Sequence, residues 1–501
     1  MNFKIKTPDF LNDFFYNFPA LFYALFFLIA IATYLYGLFL YSLIFLIIFF
    51  IFSKTKKSFT LGVLVFAFGF LYTAFFYSDS KKITEPIEGK GLFKITNIKE
   101  GFNYNRRYYI YQGFFKTFET KDKIYHHLNT SIFAKKKHLP NTYYKISGTL
   151  SPSENFHFKF KTNKNFKKSS SLYSFVLLRS KLKQKFHTFL KKSIKDRSSA
   201  NFLNTLITGS EKSDFLANSF SKIGLQHVLA ISGFHFGLFT LFFAYFLRLF
   251  LPKKLVIYSL IILVNLYFLF VGPMVSVQRA FIMIQMALVA PIVNRRYFAL
   301  NALGISLIII LLFDPINLTK VGFQLSFLSS FAILSTFPII DVVFSKFIKK
   351  RTPVERNELN PISKIGDKLL SYIRQCMSLT VAVNIFILPV ILYHFHMFSC
   401  LSFIYNLFIP FLVGISMFLV IFALIFHFTF LSSFINYITT IFTKFLLKLI
   451  TYPPAPFEFY LRYKGFSFEF VICYLILITI GFLMLRYYLK KDKTPEYCHF
   501  L

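Results

Sequence analysis

The residues best suited by type to do chemistry are few, polar and set in long apolar surroundings. They fall in four stretches: Ile223–Gly237, with His227, Ser232, Gly233 and His235; Val271–Ala280, with Arg279; Asp314–Ser326, with Gln324 and Ser326; and His394–Ser399, with His394 and His396. Gly224, Ser232, Gly233 and Gly237 crowd one apolar segment with weak helix formers, which implies a broken helix. Irregular backbone at membrane depth is tolerated where it lines a water-filled or protein-buried cavity. Arg279 stands at the head of an apolar run, where a charge is costly and points to function unless it snorkels to lipid phosphate. Gln324 and Ser326 need partners in lipid, which a pore or interhelical packing equally supplies. His227 and His235 suit a polar pore lining or a hydrogen-bonded core position. His394-x-His396 is spaced as a metal pair is, yet no nearby Asp or Glu completes a site, so no metal or other cofactor is expected. The expected translocation residues are therefore His227, Ser232, Gly233, His235, Arg279, Gln324 and Ser326.

Several chemistries find no residues. The sequence has no G-x-x-x-x-G-K-[ST] loop, no H-E-x-x-H and no G-x-S-x-G, which are the marks of P-loop ATP hydrolysis, zincin proteolysis and serine hydrolysis. No Asp or Glu lies at mid-span, against an ion-coupled antiporter or an intramembrane aspartyl protease. No internal repeat of the kind found in many secondary transporters is evident. A passive or externally driven conduit fits better than an enzyme.

The elements that must position these residues are membrane spans. Of the 501 residues 55% are hydrophobic and 74 are Phe, and residues 14–53, 255–278, 321–340 and 375–443 contain no Asp, Glu, Lys or Arg. A spanning helix needs about 20 apolar residues, so some of these runs hold one span and some hold two. About 11–12 spans are expected, near 18–35, 37–52, 59–77, 226–250, 255–271, 277–293, 297–313, 320–340, 376–393, 400–426, 433–451 and 467–488. The first is too long for the apolar region of a signal peptide, so it is expected to be retained. Lys54, Lys56 and Lys57, Lys253 and Lys254, Arg295 and Arg296, the basic loop 341–375, and Lys490, Lys491 and Lys493 then mark one side as cytoplasmic, the C-terminus included. The opposite connections are nearly bare, and all four polar stretches fall at that outer side, as one pore mouth would. Span 433–451, which carries Lys444 and Lys448, fits an interfacial amphipathic helix as well. Cys376, Cys400, Cys473 and Cys498 form no C-x-x-C pair and suggest neither a disulfide framework nor a zinc site.

The same topology places residues 78–200 outside. Glycines punctuate alternating stretches such as Tyr108–Phe115 and Tyr143–Leu150, the pattern of a small β-barrel or sheet domain. Across 78–200, 27 Lys and Arg face 8 Asp and Glu, and aromatic and basic residues interleave at Tyr104, Arg106, Arg107, Tyr108, Tyr109 and Tyr111. Basic plus aromatic residues suit single-stranded nucleic acid, whose bases stack and whose phosphates meet cations. The net charge of +36 fits nucleic acid or anionic lipid, and equally the Lys, Phe, Ile and Asn usage of an AT-rich genome. A linker is expected at Lys164–Ser171, followed by a basic amphipathic helix from Leu172 to Ile194 that most simply lies on an anionic membrane surface.

The polar stretches also carry a resemblance. His227-Val-Leu-Ala-Ile-Ser-Gly-Phe-His235 resembles the H-L-L-A-I-S-G-L-H core of the ComEC family of bacterial competence proteins. Ser276-Val-Gln-Arg-Ala280 resembles its S-x-x-R-A element, and Gly322-Phe-Gln-Leu-Ser-Phe327 its G-F-Q-L-S-F element. The ordered set covers about Leu206–Pro410. The resemblance implies an inner-membrane channel that takes up single-stranded DNA during natural transformation. It further implies a periplasmic DNA receptor and a cytoplasmic DNA motor or single-strand-binding protein as partners, and it is compatible with a homo-oligomer. Many members end in a metallo-β-lactamase-like domain, which this sequence lacks. The expected organisation is thus N-terminal transmembrane helices (1–78), an extracytoplasmic OB-like β domain (79–165), a linker with the amphipathic helix (166–210) and a competence-type transmembrane channel domain (211–501). A small-solute or lipid-linked transporter and a structural membrane scaffold are the rival functions.

Overall fold

The structure, a computed structural model, describes residues 10–491 apart from 53–55, 104–105, 121–122, 135–137, 139–142, 154–156, 164–165, 171–174, 210–213, 453–459 and 464. Tyr104, Lys54, Lys493 and Cys498, named above, lie outside the described residues. The chain forms two compact units: Phe26–Leu46 with Thr60–Gln184, and Met1–Leu25, Ile47–Phe59 with Lys185–Leu501.

The first four helices are α1 (Phe10–Asn17), α2 (Pro19–Tyr36), α3 (Phe39–Phe52) and α4 (Lys56–Lys81). Close packing of α2 on α4 depends on small residues. A Cβ at Gly62 would meet the Phe26 ring at 3.0 Å, and one at Gly69 would meet the Phe27 ring at 2.8 Å, the small-residue contact expected of helices in lipid.

Six strands follow: β1 (Ile87–Asn103), β2 (Arg106–Glu119), β3 (Ile124–Ala134), β4 (Tyr143–Pro152), β5 (His157–Thr162) and β6 (Lys167–Ser170). They pair in the order β1-β2-β3-β5-β4, and β1 pairs again with β4, so five strands close on themselves. The β3–β5 pairing is parallel and the rest are antiparallel. This is an OB-like barrel. Its 17-residue β1 serves two neighbours by bending at irregularities near Leu92/Phe93 and Ile95/Asn97. A side chain at Gly113 would run into the Lys94 carbonyl, so the tight curvature selects glycine there. Alternate residues point inward, and Phe93, Ile95, Tyr111, Phe115, Leu128 and Phe160 are among those forming a closed apolar core. The expected linker is only partly one, because Lys167–Ser170 adds to β4 as a strand.

The second unit is helical. It holds α5 (Phe175–Ser193, whose first residues belong to the other unit), α6 (Arg197–Thr208), α7 (Asp214–Lys222), α8 (Gln226–Leu229), α9 (Gly233–Arg248), α10 (Lys253–Val271), α11 (Val275–Val289) and α12 (Ala299–Phe313). A 3-10 turn at Pro315–Thr319 leads to α13 (Val321–Ser335), α14 (Phe337–Phe344), α15 (Pro353–Asn357), α16 (Pro361–Phe395), α17 (Leu401–Tyr405), α18 (Ile409–Ile425), α19 (Ser432–Thr451) and α20 (Phe468–Lys491). Short strands β7 (Met397–Ser399) and β8 (Tyr460–Arg462) pair antiparallel. Among the described residues six helices are long and apolar enough to cross a membrane, α13 with α14 makes a seventh segment bent by 52°, and five shorter apolar helices stand where the remaining spans are expected. The protein is a multi-pass membrane protein.

Three expectations about helices are refined. The segment 226–250 is two helices, as its glycines imply, and 400–426 is likewise split into α17 and α18. Ser432–Thr451 qualifies as a span, and Lys444 on it approaches Asp196 at 4.0 Å. The apolar face of α5 meets protein from Phe186 onward: Leu190 and Ile194 are buried in a cluster with α6, α18 and α19. Phe186 packs on Phe270, and Phe189 on His427. This half of α5 therefore does not lie on lipid, because its own chain covers the apolar stripe. The covering helix, α6, was invisible to hydropathy. It buries Ser199, Asn204, Thr205 and Thr208 and satisfies the two threonines with its own carbonyls.

Candidate functional site

The break between α8 and α9 creates the site. Gly224, at φ +71°, turns the chain from α7, where a Cβ would meet that of Ser402 at 2.8 Å. Ala230 and Ser232 are extended, so the Ile231 carbonyl lies free of either helix. The Ser276 hydroxyl, at the head of α11, donates to it over 2.8 Å. The Ser232 backbone N–H in turn donates to Nδ1 of His235 at 3.3 Å. The imidazole thus closes the first turn of α9 as a glutamate does in a capping box. With Nδ1 accepting, the neutral ring carries its proton on Nε2, and that buried atom has no hydrogen-bond partner among the described residues.

One turn into α11, Arg279 is only 8% exposed. Its Nη1 donates to the Ser326 carbonyl on α13. Its Nη2 lies against Gly233, where a Cβ would stand 3.0 Å away. Among the described residues its buried Nε finds no hydrogen-bond partner and no carboxylate pairs with it. The Ser326 carbonyl is contested, for the hydroxyls of Ser329 and Ser330 donate to it at 3.1 and 3.0 Å. A carbonyl offers two lone pairs, so the guanidinium holds a shared acceptor.

Gln324 joins the fourth stretch. Its Nε2 donates to the Leu318 carbonyl at 3.0 Å, and its Oε1 accepts from His394 Nε2 at 2.9 Å. His396, by contrast, takes a left-handed conformation (φ +56°) at the end of α16 and is exposed. The H-x-H pair is therefore split, one ring bonded to Gln324 and the other turned away. Among the described residues no three His, Cys, Asp or Glu side chains gather. Asp314 and Lys320, the lone charges of their connection, pair with each other at 3.5 Å.

Of the expected translocation residues, Ser232, Gly233, His235, Arg279 and Ser326 come together, and Gln324 bridges to His394 six residues from the Leu318 carbonyl it also holds. His227, on α8, lies near enough to His235 for the two imidazoles to interact electrostatically, and among the described residues no hydrogen bond links it to Arg279. Ser276, Ser329 and Ser330 complete the polar set. Their spacing carried no signal of its own, since serines bonding back to helix carbonyls are common in apolar helices.

The barrel offers a second, exposed site of different make. Arg106 and Arg107 begin β2 opposite Asn103 and Phe102; their side chains lie outside the described residues. Tyr109 is partly buried against the core, its ring parallel to that of Tyr111 at 6.4 Å, and Tyr108 neighbours Phe133 at 6.5 Å. Another row crosses four strands. Lys94 Nζ sits 5.5 Å from the Tyr143 ring centroid and 5.8 Å from that of Phe114, and His127 stacks on Phe114 at 5.7 Å. Lys116 and Lys145 are exposed on two of the same strands, and Lys159 and Lys161 on neighbouring β5. Rings with interleaved ammonium groups are the elements of a sequence-tolerant single-strand platform.

Comparison with known proteins bears on the helical unit. A model described as "Competence protein" matches residues 207–487, a range that contains all four polar stretches. ComE operon protein 3 of Bacillus subtilis (strain 168) is 32% identical over 200 residues, 40% of this chain. The match covers 22% of that relative's length. No solved structure matches the chain.

Proposed function

Since the chain belongs to the competence protein family, we propose that it conducts single-stranded DNA across the bacterial inner membrane during natural transformation. Arg279 carries this reading. A buried cation without a carboxylate, holding one contested carbonyl, is costly unless an anion is its functional partner. A phosphate arriving at the α8–α9 break would meet the free Nε of Arg279 and the Nε2–H of His235, with Gly233 keeping the approach clear. The charge asymmetry of the connections supports an outward-facing mouth and an inward C-terminus. Residues 87–170 then stand outside, where their aromatic and basic row would receive the strand first. In this reading the described residues catalyse no covalent step.

A charge-assisted hydrogen bond contributes about 1.5–3 kcal/mol, or roughly 10- to 100-fold. In a transformable host, Arg279→Ala should therefore cut uptake of labelled DNA by about 100-fold at unchanged protein level. Normal uptake by that variant would overturn the proposal.

A further inference from the structure

At 35 residues, α16 is the longest helix among the described residues. At about 1.5 Å per residue it is about 52 Å long, whereas a hydrocarbon core is about 30 Å thick. Its charge-free part, residues 375–395, already fills that thickness. The preceding part, 361–374, continues the same unbroken helix and projects by about 20 Å on the side of the basic loop. One flank of this projection is tied to its own chain. Asp367, 4% exposed, accepts from Arg356 Nε at 2.7 Å and pairs with Arg351 at 3.4 Å. Two turns further along the same flank, Arg374 donates to Asp341 of α14 at 3.0 Å.

The opposite flank is apolar: Tyr372, on the same face, packs on Phe411 of α18 and donates to the Leu407 carbonyl at 2.8 Å, whereas the turns before it stand exposed. Ile362, Ile365 and Leu369 are 84%, 69% and 59% exposed, and their spacing of three and four residues aligns them in one stripe. The stripe lies before the charge-free part of the helix, which by itself matches the hydrocarbon thickness. Lys364 and Lys368 border it, and neither forms an ion pair among the described residues. An apolar stripe with ammonium groups beside it matches an amphipathic helix carrying acidic flanks.

We propose that the inward extension of α16, through Ile362, Ile365 and Leu369 with Lys364 and Lys368, docks an acidic amphipathic helix of a cytoplasmic partner. The proposal rests on the inward orientation given above and not on DNA passage, which stands or falls with Arg279.

The test uses the full chain in phosphatidylcholine nanodiscs. Its probe is a fluorescent 18-residue helical peptide with Leu at i, i+3, i+4 and i+7 and Glu on both flanks, beside a sister peptide with Lys on the flanks. The acidic peptide should bind saturably and the basic one should not. Ile365→Ser with Leu369→Ser should weaken binding at least about tenfold. Lys364→Glu with Lys368→Glu should exchange the preference between the two peptides. Equal binding of both peptides, no binding, or binding indifferent to these substitutions would overturn the proposal. Ile362→Cys, in a chain with its native cysteines replaced by serine, supplies the second measurement. Ready labelling by a water-soluble maleimide supports the docking face. Protection by lipid, or disulfide formation between copies, contradicts it.

Discussion

The barrel and the α8–α9 break are both basic sites, yet they hold their cations in opposite ways. Lys94 lies over two rings at the surface, with water to complete its shell. Arg279 is withdrawn from water and given one backbone acceptor. The first arrangement costs little and binds by accumulation, each ring or ammonium adding a modest increment that salt weakens. The second is an incompletely satisfied charge, whose removal or replacement alters the site as a whole. An attracting surface and a selective passage need just these two properties.

The comparison breaks most readily at its buried half. Gly233→Leu should match Arg279→Ala, cutting uptake by about 100-fold, because any side chain at 233 displaces the guanidinium from its place against the backbone. Arg279→Lys should rescue little, since a single ammonium cannot hold the Ser326 carbonyl and also present a free N–H. Met283→Leu in the same helix should be silent. Uptake of labelled DNA, normalised to membrane protein level, reads all three. If Arg279→Lys recovers fully, the planar fork has no role and the site is a point charge like those of the barrel.

A smaller effect is expected at Gln324. Gln324→Leu removes two neutral hydrogen bonds, each contributing about 0.5–1.5 kcal/mol, and should lower uptake about tenfold. Adding His394→Leu should cost less than the sum of the two single changes, because it removes the partner that the first change leaves unsatisfied. Simple additivity would show that the two side chains do not act as a pair.

The smallest effects belong to the barrel. Lys94→Ala should weaken single-stranded DNA binding by the protein only a few-fold, and should lower the slope of log affinity against log salt by about 0.7. Phe114→Ala should weaken binding with that slope unchanged, since a ring releases no counterions. A slope unaffected by Lys94→Ala would remove the ammonium groups from the DNA-binding face.

Much of the buried site was legible because its residues violate local expectation. Glycines and a serine in an apolar segment announce a broken helix, and Arg279 and Gln324 are out of place in lipid unless partnered. Such anomalies survive without knowledge of the fold. The outer row of the barrel was not legible, because Lys94, Phe114, His127 and Tyr143 meet only through the register of four strands, and the basic cluster at 106–109 drew attention instead. Helix α6 escaped for a related reason: Ser199, Asn204 and Thr205 read as surface, whereas α18 and α19 enclose them. Hydropathy reports what a residue prefers, and tertiary packing decides what it gets.

The most direct test of passage at Arg279 is to trap the strand in transit. Single-stranded DNA carrying photoreactive bases, stalled during uptake by a bulky trailing end, can be cross-linked to the full-length protein in membranes and mapped by mass spectrometry. Adducts should fall on the barrel face around Phe114 and Tyr143 and on the segment Ser232–His235, with the latter lost in Arg279→Ala while the former persist. Adducts confined to the barrel, or adducts at Ser232–His235 unaffected by Arg279→Ala, would contradict a passage governed by that arginine.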